Sequence, residues 1–281
     1  LYQSLRQKLM TLPATTRVYP AHGPGSLCGK TTSPDLDSTI GKELASNYAL
    51  QAMPEAEFVR QLLADQPFVP RYFGYDVQLN KQGAPSFEAG VRAVPRLGSA
   101  AAPAPGVLLL DTRPAAEFRA GHLPGAVNLM DGGKFETWLG SVIAPDEPFY
   151  LLAETQIQLD AVIRKAAKIG YEPLIKGALL TPVHLPATSP AVDVEAVRTH
   201  PGQFTIVDIR NRTEAAKPLF KSALLIPFPE LRERVGEIPT NKPVLVHCAG
   251  GYRSAAGASI VQNALPEVKV YDLGEAVKEW E

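Results

Sequence analysis

Val244-Leu-Val-His-Cys248-Ala-Gly-Gly-Tyr-Arg253-Ser254 is the stretch on which the reading of this chain turns. An apolar run short enough for a buried strand ends at a cysteine. Four residues follow, and Arg253 then opens a helix of small residues, Ala255-Ala-Gly-Ala-Ser-Ile260. In open α/β sheets ligands bind at the carboxyl ends of strands, which is where this pattern puts Cys248. Gly250 and Gly251 let the backbone of Ala249 to Tyr252 curl its N–H groups toward the sulfur, and the positive end of the next helix faces the same point. Those amides, the helix dipole and Arg253 favour a thiolate on Cys248. The pattern therefore predicts a cradle for a nucleophilic sulfur with room for an anion beside it.

Working outward, the chain repeats itself. Asp208-Ile-Arg-Asn-Arg-Thr-Glu214 aligns with Asp111-Thr-Arg-Pro-Ala-Ala-Glu117, 97 residues earlier. Each follows an apolar run, Phe204-Thr-Ile-Val207 and Val107-Leu-Leu-Leu110, and the run before Cys248 has its counterpart in Phe149-Tyr-Leu-Leu-Ala153. Helical stretches such as Gln158–Ala167 and Ser254–Leu265 lie between the apolar runs. Short buried strands alternating with helices predict parallel sheets covered on both faces, here as a tandem duplication. Pro-rich breaks at Val94–Gly106 and Thr181–Pro190 separate three segments, 1–85, 86–185 and 186–281. In the middle copy the position of the cysteine loop reads Glu154-Thr-Gln-Ile-Gln158, without cysteine, glycine or arginine. This unit is expected to be chemically silent, with His122 of its opening motif packing or capping a turn.

Composition narrows the function classes. Lys+Arg 28 against Asp+Glu 29 leaves a net charge of -1, too little positive charge to follow a phosphate backbone, so nucleic acid is not an expected partner. No run approaches the roughly 18 apolar residues of a membrane span. Two cysteines in 281 residues cannot build a disulfide framework and suit a reducing, cytoplasmic setting. The apolar residues Leu1, Leu5, Leu9 and Leu12 recur at helical spacing from the first residue, which predicts an amphipathic helix and sequence missing upstream. A strand over Thr16–Pro20 and helices over Thr39–Ala52 and Glu55–Ala64 complete the expected elements of the first segment, an incomplete α/β domain.

The cysteine loop, the Asp-x-Arg motif and the closing Tyr271-Asp-Leu-Gly-Glu-Ala-Val-Lys-Glu-Trp280 together resemble rhodanese domains. Asp111–Asn128 is similar to the opening signature of that family, while the third segment has Lys221-Ser-Ala-Leu in place of His122-Leu-Pro-Gly. The resemblance implies an α/β fold of two tandem rhodanese-like parallel-sheet domains. It implies a persulfide on Cys248, formed from thiosulfate or a thiol persulfide and passed to an acceptor such as sulfite, cyanide or glutathione. Arg253 would orient the anionic donor, and Ala249, Gly250, Gly251, Tyr252, Ser254 and Arg210 would form the substrate site. Cysteine-dependent phosphatases of related fold have five residues between the cysteine and the arginine, whereas this loop has four, which favours sulfur over phosphoryl transfer.

Val18-Tyr-Pro-Ala-His22-Gly-Pro-Gly-Ser-Leu-Cys28-Gly-Lys30 resembles the last part of a metallo-β-lactamase (αββα) fold. With Ser38-Thr-Ile-Gly41 and Asn80-Lys-Gln-Gly83 it is similar to persulfide dioxygenases fused to tandem rhodanese domains. That family holds iron through an His-x-His-x-Asp-His motif that this chain lacks. The expectation is no cofactor in this chain, iron only if an N-terminal part is present, and His22 as a vestige of a metal site. Cys28, between glycines and close to Lys30, is either a persulfide contact or an inert thiol. Two alternatives to a sulfurtransferase remain open: a non-catalytic interaction module, and the C-terminal piece of an iron-dependent persulfide dioxygenase. The expected partners are small sulfur anions and thiol persulfides, with no nucleic acid and no membrane; a homo-oligomer stays open.

Overall fold

Runs such as Leu108-Leu-Leu and Val244-Leu-Val are apolar on every residue, which only a strand covered on both faces can accommodate. A computed structural model describes residues 1–21, 35–64, 68–98 and 102–280 of the chain and divides it into two units, Leu1–Phe68 and Val69–Glu281.

In the first unit, helix α1 (Tyr2–Ser4) runs into a wider π-type turn over Leu5–Leu9, closed by the Met10 N–H on the Leu5 carbonyl at 2.9 Å. Strands β1 (Arg17–Val18) and β2 (Ser38–Thr39) pair antiparallel. Helices α2 (Ile40–Ser46) and α3 (Glu55–Leu63) follow. The helix expected over Thr39–Ala52 is shorter than its pattern. Asn47 adopts extended backbone, and its side chain accepts the Ala49 N–H at 3.0 Å, starting a separate 3-10 turn over Tyr48–Leu50. That competition by an asparagine side chain is what ends α2. The expected leucine stripe also differs: Leu1 is 72% exposed, and Leu9 and Leu12 are exposed as well. Tyr2 does the packing instead, edge-on to buried Phe58 at 5.4 Å with its hydroxyl donating to the Met53 carbonyl.

The second unit begins with α4 (Tyr72–Gln82) and α5 (Phe87–Ala93), and then carries the duplication. Strands β3 (Leu108–Asp111), β4 (Ala126–Asn128), β5 (Phe149–Ala153) and β6 (Ile175–Leu180) form one sheet in the order β4-β3-β5-β6, every neighbour parallel. Helices α6 (Ala115–Ala120), α7 (Phe135–Val142) and α8 (Gln156–Ala167) connect them. After α9 (Val194–Thr199), strands β7 (Thr205–Asp208), β8 (Leu224–Leu225), β9 (Val244–His247) and β10 (Val270–Asp272) repeat the same order and direction. Their connections include α10 (Arg212–Ala215), α11 (Leu231–Arg234) and α12 (Tyr252–Ala264). The tandem parallel-sheet architecture expected from the sequence is the one observed.

In each copy the Asp-x-Arg motif closes on itself below the end of the first strand. Asp111 takes the Arg113 guanidinium at 2.6 to 3.2 Å, and Asp208 takes that of Arg210 at 2.7 to 3.0 Å, all four side chains being buried. Each arginine then donates to a later carbonyl, Gly121 or Lys217, so the fork ties the strand end to the helix that follows.

Helix α12 joins the two copies. Its residues Arg253 to Val261 are all buried, because it lies on its own β9 and β10 and also against β4 of the other copy. β4 is an edge strand, and its Asn128 N–H donates to the Ser259 hydroxyl at 3.0 Å, while Asn263 donates to the carbonyls of Gly125 and Ala126. Contact on both sides explains the small residues of this helix. A Cβ at Gly257 would stand 2.7 Å from Ile209 Cδ1 and 3.2 Å from Val246 Cγ1. Gly257→Val is therefore expected to cost about 1–3 kcal/mol through overpacking. Gly202→Ala, whose added carbon meets nothing, should stay within about 0.5 kcal/mol of the parent. Urea unfolding midpoints of the two variants check this.

Candidate functional site

The site is built where β9 hands over to α12. β9 ends at His247, Cys248 follows with 1% of its surface exposed, and four residues later the helix is under way. Gly251 holds the turn in the left-handed region at φ 90, and its N–H donates to Cys248 Sγ at 3.2 Å. A Cβ there would lie 2.8 Å from the Glu275 nitrogen and from the Gly274 carbonyl carbon, so the position requires glycine for both conformation and space. Gly250 is exposed with open space above its Cα, and Ala249 is half-buried. Ser254 donates to the Gly251 carbonyl at 3.1 Å and locks the first turn of α12. On β10, Asp272 accepts the Gly274 N–H at 2.8 Å, fixing the turn that supports Gly251. Burial pushes the Asp272 carboxyl up, against the pull of Ser254 and of that N–H.

Arg253 is buried, and both terminal nitrogens of its guanidinium donate to Glu214, at 2.7 and 2.6 Å. Burial alone would push the Glu214 carboxyl up, but Arg253, the Asn211 N–H and Arg210 outweigh it and hold it below the usual carboxylate range. Burial opposes the Arg253 charge too, and Glu214 together with Cys248 raises the guanidinium above its ordinary value. The cation therefore sits beside the sulfur, with one hydrogen bond from each terminal nitrogen given to Glu214. The ring of Trp138, on α7 of the other copy, covers the Arg253 guanidinium at 5.1 Å and meets Phe228 edge-on at 5.7 Å.

The remaining sequence candidates fall in several places. Tyr252 sends its hydroxyl across to the Met130 carbonyl of the other copy, and burial raises its pKa far above that of a free phenol. Arg210 is held by Asp208 in its fork. His122 stacks on Phe118 at 3.9 Å, with its Nδ1 at the Phe118 carbonyl, and its backbone bridges to Ala187. His22 and Cys28 lie outside the described residues. Among the described residues no three His, Cys, Asp or Glu side chains converge as a metal site would require, and no helix is long and apolar enough to cross a membrane. In the middle copy β5 ends at Ala153 and α8 begins at Gln156, so only Glu154 and Thr155 stand between them. Thr155 and Gln158 form a capping box there, closing the helix start with side chains where the other copy has open backbone.

Sequence reasoning did not find Glu214 as the partner of Arg253, nor Trp138 and Met130 as contributors from the other copy. Glu214 carried a signal, since it recurs as Glu117 in the repeated motif. Trp138 carried none, because nothing in one chain of letters says which helix of one copy faces the loop of the other.

The Rhodanese-like domain family model matches residues 99–176 and 193–281. No curated protein matches the chain. Among solved structures, the chain is 26% identical to a metallo-β-lactamase from Staphylococcus aureus subsp. aureus COL, over 64% of this chain and 49% of that one, with a TM-score of 0.49. This chain thus spans about half the length of that protein. A rhodanese-related protein from Thermoplasma volcanium is 25% identical over 33% of this chain and 88% of its own, TM-score 0.28. A thiosulfate sulfurtransferase from Pseudomonas aeruginosa is 18% identical over 69% of this chain and 43% of its own, TM-score 0.27.

His247, immediately before the cysteine, is fully buried, with Nε2 3.9 Å from Asp208 and the Phe220 ring 5.1 Å away. Burial lowers its pKa below the ordinary 6.5, with Arg210 acting the same way and Asp208 and the Cys248 carbonyl against. Burial also lowers that of His122. Both imidazoles are thus neutral in the folded chain at pH values where the unfolded chain binds protons. Their contribution to stability is complete above the unfolded value and is lost as pH falls through it. The thermal midpoint should drop between about pH 7.5 and about pH 5.5, and His247→Phe should flatten that slope.

Proposed function

This chain belongs to the rhodanese-like domain family, and on that premise we propose that it is a sulfurtransferase whose carrier is Cys248 in its third segment, 186–281. The observation that carries the reading is the Gly251 N–H on Cys248 Sγ at the head of α12, inside a four-residue backbone loop. A sulfur held this way has a backbone amide already in place for negative charge.

In the proposed cycle the Cys248 thiolate attacks the outer sulfur of thiosulfate or of a thiol persulfide. The new S–S bond forms as the donor's S–S bond breaks, sulfite or the thiolate leaves with the electron pair, and Cys248 remains as a persulfide. A nucleophilic acceptor such as sulfite, cyanide or glutathione then takes the outer sulfur and returns the Cys248 thiolate. The loop from Ala249 to Arg253 stabilises the charge that moves through both steps. Arg253 supplies positive charge beside the sulfur, while Glu214 holds its terminal nitrogens. No resident cofactor enters this chemistry, and a reducing, cytoplasmic compartment suits a working thiol.

The middle segment, 86–185, is read as a silent copy, because its short connection at Glu154 and Thr155 has no thiol and no free backbone loop. Segment 1–85 is proposed to be the C-terminal part of a metallo-β-lactamase-like domain from a persulfide dioxygenase–rhodanese fusion. The support is the resemblance of Val18–Lys30 and of the order of segments. The described residues do not fit an iron, since no three metal-ligating side chains converge among them, and no step is derived through one.

Incubated with thiosulfate and freed of excess donor, the protein is expected to gain the mass of one sulfur atom, and to lose it on adding cyanide with release of thiocyanate. Cys248→Ser should gain none. A parent protein that stays at its original mass with both thiosulfate and glutathione persulfide would overturn the reading.

A further inference from the structure

Arg253 lies between two groups from different parts of the chain. Glu214, on α10 of its own copy, takes both terminal nitrogens in a two-pronged fork. Trp138, on α7 of the silent copy, covers the guanidinium at 5.1 Å. Trp138 is itself held edge-on by buried Phe228 at 5.7 Å, so it cannot swing away from the arginine without breaking a second contact. One residue earlier, the Tyr252 hydroxyl donates to the Met130 carbonyl, again of the silent copy. The first turn of α12, which carries the loop, is thereby fastened at two successive residues by the copy that has no thiol.

We propose that Trp138 is a positioning residue for the sulfur site: its ring face holds the Arg253–Glu214 fork in the orientation that keeps positive charge beside Cys248. The physical basis is specific. A desolvated guanidinium over an indole face gains from the ring quadrupole, which an aliphatic side chain of similar bulk lacks. Glu214 and Cys248 hold the guanidinium at its edge, whereas Trp138 covers its face. With Trp138 absent, the charge is still paired at its edge, but its plane is no longer held from the face. The silent copy is then part of the working site through one aromatic side chain, which a purely scaffolding role would not require.

The inference rests on Cys248 as the sulfur carrier, so its test has one arm that needs no sulfur transfer. In the chain of residues 1–281, Trp138→Phe and Trp138→Leu are compared, both apolar, with only the first retaining a ring face. The guanidinium 15N signal of Arg253, identified by its loss in Arg253→Lys, is expected to stay restrained in the parent and in Trp138→Phe, and to show free rotation in Trp138→Leu. In parallel, the single-turnover rate of sulfur loading from thiosulfate should fall about five-fold in Trp138→Leu, the equivalent of one such contact. Trp138→Phe should recover most of that loss, and the donor concentration at half-maximal rate should change little in either variant. Equal behaviour of the two variants in both arms, or an Arg253 signal unchanged in Trp138→Leu, would overturn the inference. A parent that loads no sulfur would overturn the function proposed above while leaving the 15N arm to decide this one.

Discussion

Helix α12 is pressed between two surfaces, its own sheet on one side and a foreign edge strand on the other, and most of the second unit follows from that confinement. A helix covered on both sides can carry only small side chains where the approach is closest, which accounts for the run Ser254-Ala-Ala-Gly-Ala-Ser259. Because Ser259 and Asn263 satisfy the exposed backbone of β4, the helix also seals an edge that would otherwise offer unpaired amides to other chains. The same helix begins at the cysteine loop, so the packing that joins the copies also fixes where the loop amides point.

The buried Asp-x-Arg forks are a feature that both copies share in detail. Asp111 with Arg113 and Asp208 with Arg210 have nearly superimposable bonding, down to a further hydrogen bond from the arginine to a carbonyl in the following segment. Removing one partner of such a pair would leave a buried charge uncompensated, a loss of about 3–5 kcal/mol. The fork is thus a condition of folding in either copy and stays in both. The loop at the end of the third strand carries no such condition, because α8 begins equally well from a capping box on Thr155. The fold of a copy thus does not depend on the length of that loop.

Much of this was legible in the letters. The strands around Leu109, Leu151, Val207 and Leu245 could be read because continuous apolar runs have few other stable arrangements, and the duplication appeared as one motif written twice. The cysteine loop was legible because glycines, a thiol and a basic residue rarely coincide at the end of such a run. What stayed hidden depends on distance in sequence. The Glu214 fork joins residues 39 apart, and the Met130–Tyr252 hydrogen bond spans 122. Arg210 illustrates the converse: its motif suggested a place at the substrate, yet its nearest carboxylate is two residues away and takes the guanidinium. In the first unit, local side-chain chemistry at Asn47 overrode a helical pattern, and the leucines near the N-terminus turned outward while Tyr2 supplied the contact.

The short connection in the middle copy limits what a side-chain change there could build. Between strand and helix the copy in the third segment has four residues, Cys248 to Gly251, and the middle copy has two, Glu154 and Thr155. A thiol placed at either of those two positions would stand at a capped helix start with no arc of backbone to surround it. The arc of the third segment needs both its extra length and a left-handed glycine at 251, and neither is present between β5 and α8. The two copies therefore differ at this point in backbone length as well as in side-chain identity.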